Sequence, residues 1–166
     1  PIGLLQMAIK VTNEPPKGLR AGLMRSYTVI IDQDRLERVE TSQWRALLYT
    51  ICFMHSVVQE RRKFGPLGFN IPYEFNTSDL QASMTFMQNH LNDVEGKKRP
   101  VDWVTVNYMV CDVQYGGRIT DDWDRRLFNT YGKSWLTQQC VDPSFEFYTD
   151  ALSAFKYAIP GTGQPG

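Results

Sequence analysis

The sequence runs to 166 residues, 42% of them hydrophobic and 13% aromatic, which suits one folded domain with a modest apolar core and excludes a disordered polar chain. Eighteen Lys and Arg balance eighteen Asp and Glu, so no global field draws the chain to nucleic acid or to an anionic membrane. Cys52, Cys111 and Cys140 are odd in number, far apart and without a CxxC pair, which argues against a disulfide framework and a zinc site and fits a reducing compartment. No stretch approaches the roughly 18 apolar residues of a membrane span, and Pro1 opens the chain without a charged leader. The sequon Asn76-Thr77-Ser78 is therefore expected to stay unused. Pro1 at one end and Pro165-Gly166 at the other read as cuts inside a longer polypeptide.

Taken in chain order, Ile2 to Val11 is an apolar run in which Ile9 and Val11 alternate with Lys10 and Thr12, as in a single strand whose sheet partners must come from elsewhere. Pro15-Pro16 then set up a helix over about 17–30, with Leu19, Leu23, Tyr27 and Ile30 on one face. After Thr41-Ser42, the stripe Trp44, Leu47, Leu48, Ile51, Met54, His55 and Val58 predicts a long, largely buried helix. Arg61, Arg62 and Lys63 suit its negative end, and Gly65-Pro66 stops it. The loop from Gly65 to Phe75 is too apolar and aromatic to lie idle on the surface.

A third helix follows the caps Asn76 and Thr77, with Leu80, Met84, Met87 and Leu91 aligned, and ends before the turn at Gly96 to Pro100. A fourth opens at Asp102 and carries Trp103, Val106, Val110 and Val113 to the pair Gly116-Gly117, where positive φ is available. A fifth begins after Thr120 or Asp121 with Trp123, Leu127, Tyr131 and Trp135. Beyond Pro143 the aromatics Phe145, Phe147, Tyr148, Phe155 and Tyr157 lose clean periodicity, and Gly161 to Gly166 reads as a flexible linker.

Residues with possible chemistry read as structural. Gly132-Lys133-Ser134 resembles the end of a phosphate-binding loop, but that motif needs a glycine where Leu127 stands and a strand leading in. Asp121, Asp122 and Asp124 could suggest acid–base catalysis or a hard metal; as first-turn carboxylates they more simply meet the positive end of a helix. His55 and His90 have no legible nucleophile partner. The four tryptophans and six methionines read as core, and Lys97, Lys98 and Arg99 as a solvated face.

Three stretches go further. Lys10 to Arg20 (KVTNEPPKGLR), Val57 to Asn76 (VVQERRKFGPLGFNIPYEFN) and Val113 to Leu127 (VQYGGRITDDWDRRL) resemble, in order, segments of dynein heavy chains at the sixth AAA+ module. The wording of Ile71 to Phe75 and of Val113 to Gly117 is more similar to axonemal than to cytoplasmic members, most of all to the gamma-type chain of the outer arm. Phe69 departs from the tryptophan many relatives carry, which keeps the bulk and loses an N–H donor.

The resemblance implies a mainly α fold: a five-helix lid, or small, subdomain over 17–140. It would be preceded by the last strand of the module's large subdomain in 1–16 and followed by a linker toward a C-terminal domain in 141–166. It implies a parent ATPase that moves toward microtubule minus ends in cilia and flagella, its ATP and magnesium bound in other modules and its microtubule contact made through a stalk. This stretch would be non-catalytic, without cofactor or metal, and would pass conformational change between adjacent AAA+ modules and the C-terminal domain of the same chain. Phe64, Phe69, Asn70, Tyr73, Tyr115, Arg118, Asp121, Asp122 and Trp123 are the candidate contacts between modules. Two rival classes stand beside this: a free-standing helical adaptor with a peptide groove, and a hydrolase built on the carboxylates from Asp121 to Asp124.

Overall fold

The computed structural model describes residues 17–37, 39, 42–149 and 156–160. The strand expected over Ile9 to Thr12 and the tail from Gly161 lie outside the described residues.

Six α-helices and a two-stranded hairpin make up the described chain. The first, α1 (Leu19–Arg25), runs on through a π-helical turn at Ser26–Ile30. Its leading amide, Gly18 N–H, donates to Glu60 across 2.8 Å, which pins the start of α1 to the end of the central helix. A helical turn, α2 (Gln33–Glu37), was not legible in the sequence: at five residues it shows no apolar stripe, only the Asp32 carboxylate accepting from Arg35 N–H at 2.8 Å.

The central helix α3 (Ser42–Arg61) carries the core. Trp44, Leu47, Leu48, Ile51, Met54 and Val58 are wholly buried, as their spacing predicts, and Cys52, Phe53 and Ser56 are buried too. A helix buried on nearly all sides must be surrounded, and α1, α4 and the end of the chain surround it. Helix α4 (Thr77–Gly96) begins with a complete capping box, in which Asn76 accepts from the Ser78 and Asp79 amides while Asp79 accepts from Asn76 N–H. Leu80, Met84, Met87 and Leu91 turn inward together.

Helix α5 (Trp103–Asn107), capped by Asp102, departs from expectation. From Tyr108 to Tyr115 it widens into π-helical turns. An α-helical register would put Val106, Val110 and Val113 on one face; the looser i to i+5 bonding rotates that face, so Cys111 and Tyr115 are buried and Val113 is exposed. The same widening corrects the reading of Gly116. Its φ is −64°, ordinary helical backbone. Glycine is needed there because a Cβ would stand 2.2 Å from the carbonyl oxygen of Cys111.

Helix α6 (Asp122–Trp135) crosses the π segment at Gly132, where a Cβ would meet Cys111 Sγ at 2.3 Å. Gly132-Lys133-Ser134 thus lies within a helix, and the glycine serves close packing. Phe128 fills the core from this helix, while Trp123, expected to do so, is 71% exposed. Met24 is likewise exposed, so the tryptophans and methionines are not uniformly interior.

Strands β1 (Glu146–Thr149) and β2 (Lys156–Ala158) pair antiparallel, within the stretch read as a linker. This segment is part of the core. Phe147 stacks on Phe53 with centroids 4.2 Å apart and meets Trp135 edge-on, and Tyr157 lies against Phe53. The sequence pattern was too short and too uniformly aromatic to show strand alternation. No helix among the described residues is long and apolar enough to cross a membrane.

Candidate functional site

The loop between α3 and α4 and the N-terminus of α6 form one bonded unit. At the end of α3, Gly65 takes φ 54° and ψ −138°, a conformation open to glycine alone, and reverses the chain. Arg61, expected only to face the helix dipole, folds over this reversal. Its Nε and Nη2 donate to the Gly68 carbonyl at 3.0 and 2.8 Å, and its guanidinium lies over the rings of Phe69 and Tyr131.

Phe69, Tyr73 and Phe75 then turn into the interior, their rings in mutual contact and continuous through Tyr115 with Phe128. Expected as inter-module contacts, Phe69, Tyr73 and Tyr115 are instead 5% exposed or less. Their apolar area is spent inside this chain, so they hold the loop and do not present a surface.

Asp124 is the residue whose role the sequence concealed. As one of three neighbouring carboxylates it looked like a solvated first-turn acid, yet it is 4% exposed. It accepts from Asn70 N–H at 3.0 Å, Ile71 N–H at 3.3 Å and the Tyr73 hydroxyl at 3.0 Å. Tyr73 Oη in turn accepts from Asp121 N–H at 3.0 Å. Asp121 caps α6 through Trp123 N–H and Asp124 N–H and also takes a bond from the Asn70 side-chain amide. Those donors, the Asp124 amide first and the Asn70 amide next, hold its carboxyl below the usual range. A buried carboxylate is tolerated only when its lone pairs are filled, and here the distance in sequence between α6 and the loop, more than fifty residues, hid the donors.

Two further ties close the unit. Arg118 pairs with Asp79 of the α4 capping box at 2.8 Å, and Gln59 donates to the Phe75 carbonyl. Beneath them His55 Nδ1 and the Tyr115 hydroxyl lie 2.9 Å apart. Burial lowers the His55 pKa to about 4, against a smaller opposing pull from Asp79, so the ring is neutral near pH 7. Burial also pushes the Cys52 and Cys111 thiols up to about 12, far from thiolate reactivity. Among the described residues no three His, Cys, Asp or Glu side chains converge as a metal set.

The unit exposes the apolar and aromatic side chains Phe64, Leu67, Ile71 and Trp123, set among charged residues that include Lys63 and the ion pair Arg62–Glu74. Asn70, Arg118 and Asp122 are exposed beside them, and Asp121 is half-buried. The expected contact residues therefore divide into an inner group that braces and an outer group that remains available.

Comparison with known proteins places this architecture in a class. The family described as Dynein heavy chain AAA lid domain matches residues 44–164, and the chain belongs to that family. The match runs through α3 to α6 and past residue 141, consistent with the hairpin being integral to the fold.

Among individual relatives, Dynein axonemal heavy chain 5 of Mus musculus is 56% identical over 148 residues, 89% of this chain and 3% of that protein. Dynein gamma chain, flagellar outer arm, of Chlamydomonas reinhardtii is 50% identical over 163 residues, 96% of this chain and 4% of that protein. Dynein axonemal heavy chain 3 of Homo sapiens is 52% identical over 130 residues, 76% of this chain. The chain thus spans only about 3 to 4% of the length of these curated relatives.

Proposed function

We propose that this chain is the lid of the sixth AAA+ module of an axonemal dynein heavy chain, a non-catalytic block that carries conformational change between neighbouring modules of an ATP-driven microtubule motor. In this reading ATP and magnesium act in other modules, the microtubule is reached through the parent's stalk, and the setting is the axoneme of cilia or flagella. The adjacent modules and the C-terminal domain of the same chain are the partners.

The observation that carries the reading is the fusion of the α3–α4 loop with α6 through Asp124. Force passes through a contact only if the contacting groups cannot yield. Here the exposed Phe64, Leu67 and Trp123 stand on segments held by a buried carboxylate, an arginine clasp and a continuous ring cluster. A rigid base under an apolar rim is what a lid needs to move as one body.

The test is a full heavy chain with Phe64→Ser and Leu67→Ser. Both side chains are exposed, so folding should be preserved. The expected result is unchanged nucleotide affinity at the hydrolysing module, with microtubule-stimulated ATPase and gliding both reduced. Normal gliding by a correctly folded variant would refute a transmitting role for this rim.

A further inference from the structure

The outer face of α6 carries a tryptophan and cations that the ring cluster does not engage. Trp123, Arg126, Thr130 and Lys133 follow one another at steps of three, four and three residues, so they form one stripe, and all four are exposed. At the N-terminal end the Arg126 guanidinium lies 5.3 Å over the Trp123 ring centroid. Among the described residues neither Arg126 nor Lys133 meets a carboxylate. Neighbouring cations are occupied: Arg118 pairs with Asp79, and Arg125 donates to the Ile119 carbonyl. Of the nearby acids, Asp124 is withdrawn by burial and Asp121 by capping, Asp112 accepts from the Asn129 side-chain amide, and Asp122, exposed one turn before Arg126, forms no ion pair with it. In a chain of zero net charge, the stripe is left as an aromatic anchor followed by two cations that form no ion pair among the described residues.

We propose that this stripe docks an acidic segment of the same heavy chain lying outside residues 1–166, with Trp123 packed under it and its carboxylates spanning Arg126 and Lys133. The proposal rests on the reading of the chain as part of a heavy chain, and it names a partner chemistry and residues that reading does not supply. Trp and Arg at the centre of an exposed patch are the side chains that concentrate binding energy. Seven residues along a helix separate the two cations by about 10 Å, a span that two carboxylates on a facing helix or loop can match.

The physics also chooses among occupants. A second copy meeting the stripe face to face would set cations against cations. A membrane or a nucleic acid calls for a broader field of Lys and Arg than two residues on a neutral chain. Solvent-exposed ion pairs are individually weak, so they persist best when partner and site are joined in one polypeptide and the effective concentration is high. The curated relatives leave ample room for such a segment, since this chain covers 3% of Dynein axonemal heavy chain 5.

Carbodiimide cross-linking of the intact heavy chain, followed by peptide mass spectrometry, tests this directly because it joins a lysine amine to a carboxylate in contact with it. Lys133 should be joined to an Asp or Glu of the same polypeptide outside residues 1–166. Arg126→Glu and Trp123→Ala should each lower that yield by roughly tenfold, as should salt that shortens the Debye length to about 3 Å. Acylation of Lys133 by an amine-reactive ester without any carbodiimide product would overturn the proposal. So would a product that joins Lys133 to a separate protein or a second copy. Slowed gliding in the Phe64→Ser, Leu67→Ser motor together with a silent Lys133 would leave the lid reading standing and remove this docking alone.

Discussion

Replacing Asp124 by alanine probes whether the loop and α6 act as one body. The carboxylate accepts from two backbone amides and one phenol, and alanine leaves all three donors without it. Asn70 and Ile71 are exposed, so water can satisfy much of what their amides lose. The Tyr73 hydroxyl is buried and cannot be rescued in the same way. An unsatisfied buried donor costs about 1 to 3 kcal/mol, and lost bonds to a charged group cost about 1.5 to 3 kcal/mol, so a net loss of about 2 to 4 kcal/mol is expected. Equilibrium urea unfolding measures that loss, and hydrogen exchange at Asn70 and Ile71 locates it. Exchange at those two amides should rise far more than at the centre of α3. A double-mutant cycle with Tyr73→Phe should return a coupling of about 1 kcal/mol or more. A loss under about 0.5 kcal/mol, with Asn70 and Ile71 exchanging as before, would show that the carboxylate does not hold the loop.

Leu48→Ala should cost about 2 to 5 kcal/mol in the same unfolding assay, because Leu48 is wholly buried on the central helix; a shift below about 0.5 kcal/mol would contradict that placement. Gly116→Ala should cost about 1 to 3 kcal/mol by overpacking against the Cys111 carbonyl, and near-neutrality would show that the π turn yields freely. In a full motor the same change should slow gliding while sparing nucleotide affinity, because the crowded Cys111 belongs to the π segment on which α6 packs through Gly132. His55 adds a pH dependence: its folded pKa of about 4 lies below its ordinary 6.5, so on acidification the unfolded chain takes the proton first. The His55 contribution is complete above pH 6.5 and fades as pH falls toward 4, by up to about 3 kcal/mol. His55→Gln should flatten the stability profile across that window, and an unaltered slope would contradict a neutral buried imidazole.

The sequence by itself determined the elements whose causes are local. The stripes from Trp44 to Val58 and from Leu80 to Leu91 are set by helical spacing. The starts of α4, α5 and α6 were legible from their capping residues, with Asn76 chosen over Thr77 and Asp121 over Thr120 in the structure; the Asn76, Asp102 and Asp121 side chains bond amides two or three residues on. Three long runs of wording marked the family, and residues 44–164 match it. Only the tertiary structure decided the rest. Whether Asp124 is a solvated acid or a buried clasp depends on donors more than fifty residues away, and whether Trp123 or Phe128 fills the core depends on how α6 lies across the π segment. The widening after Asn107 moved Val113 outward and gave Gly116 a steric role in place of a conformational one. The hairpin formed because Phe147 finds Phe53 and Trp135, partners that no pattern within residues 141–160 could announce. Periodicity and capping are short-range physics and can be read along the chain, whereas burial of a charge or exposure of a ring is decided by what the rest of the chain brings to it.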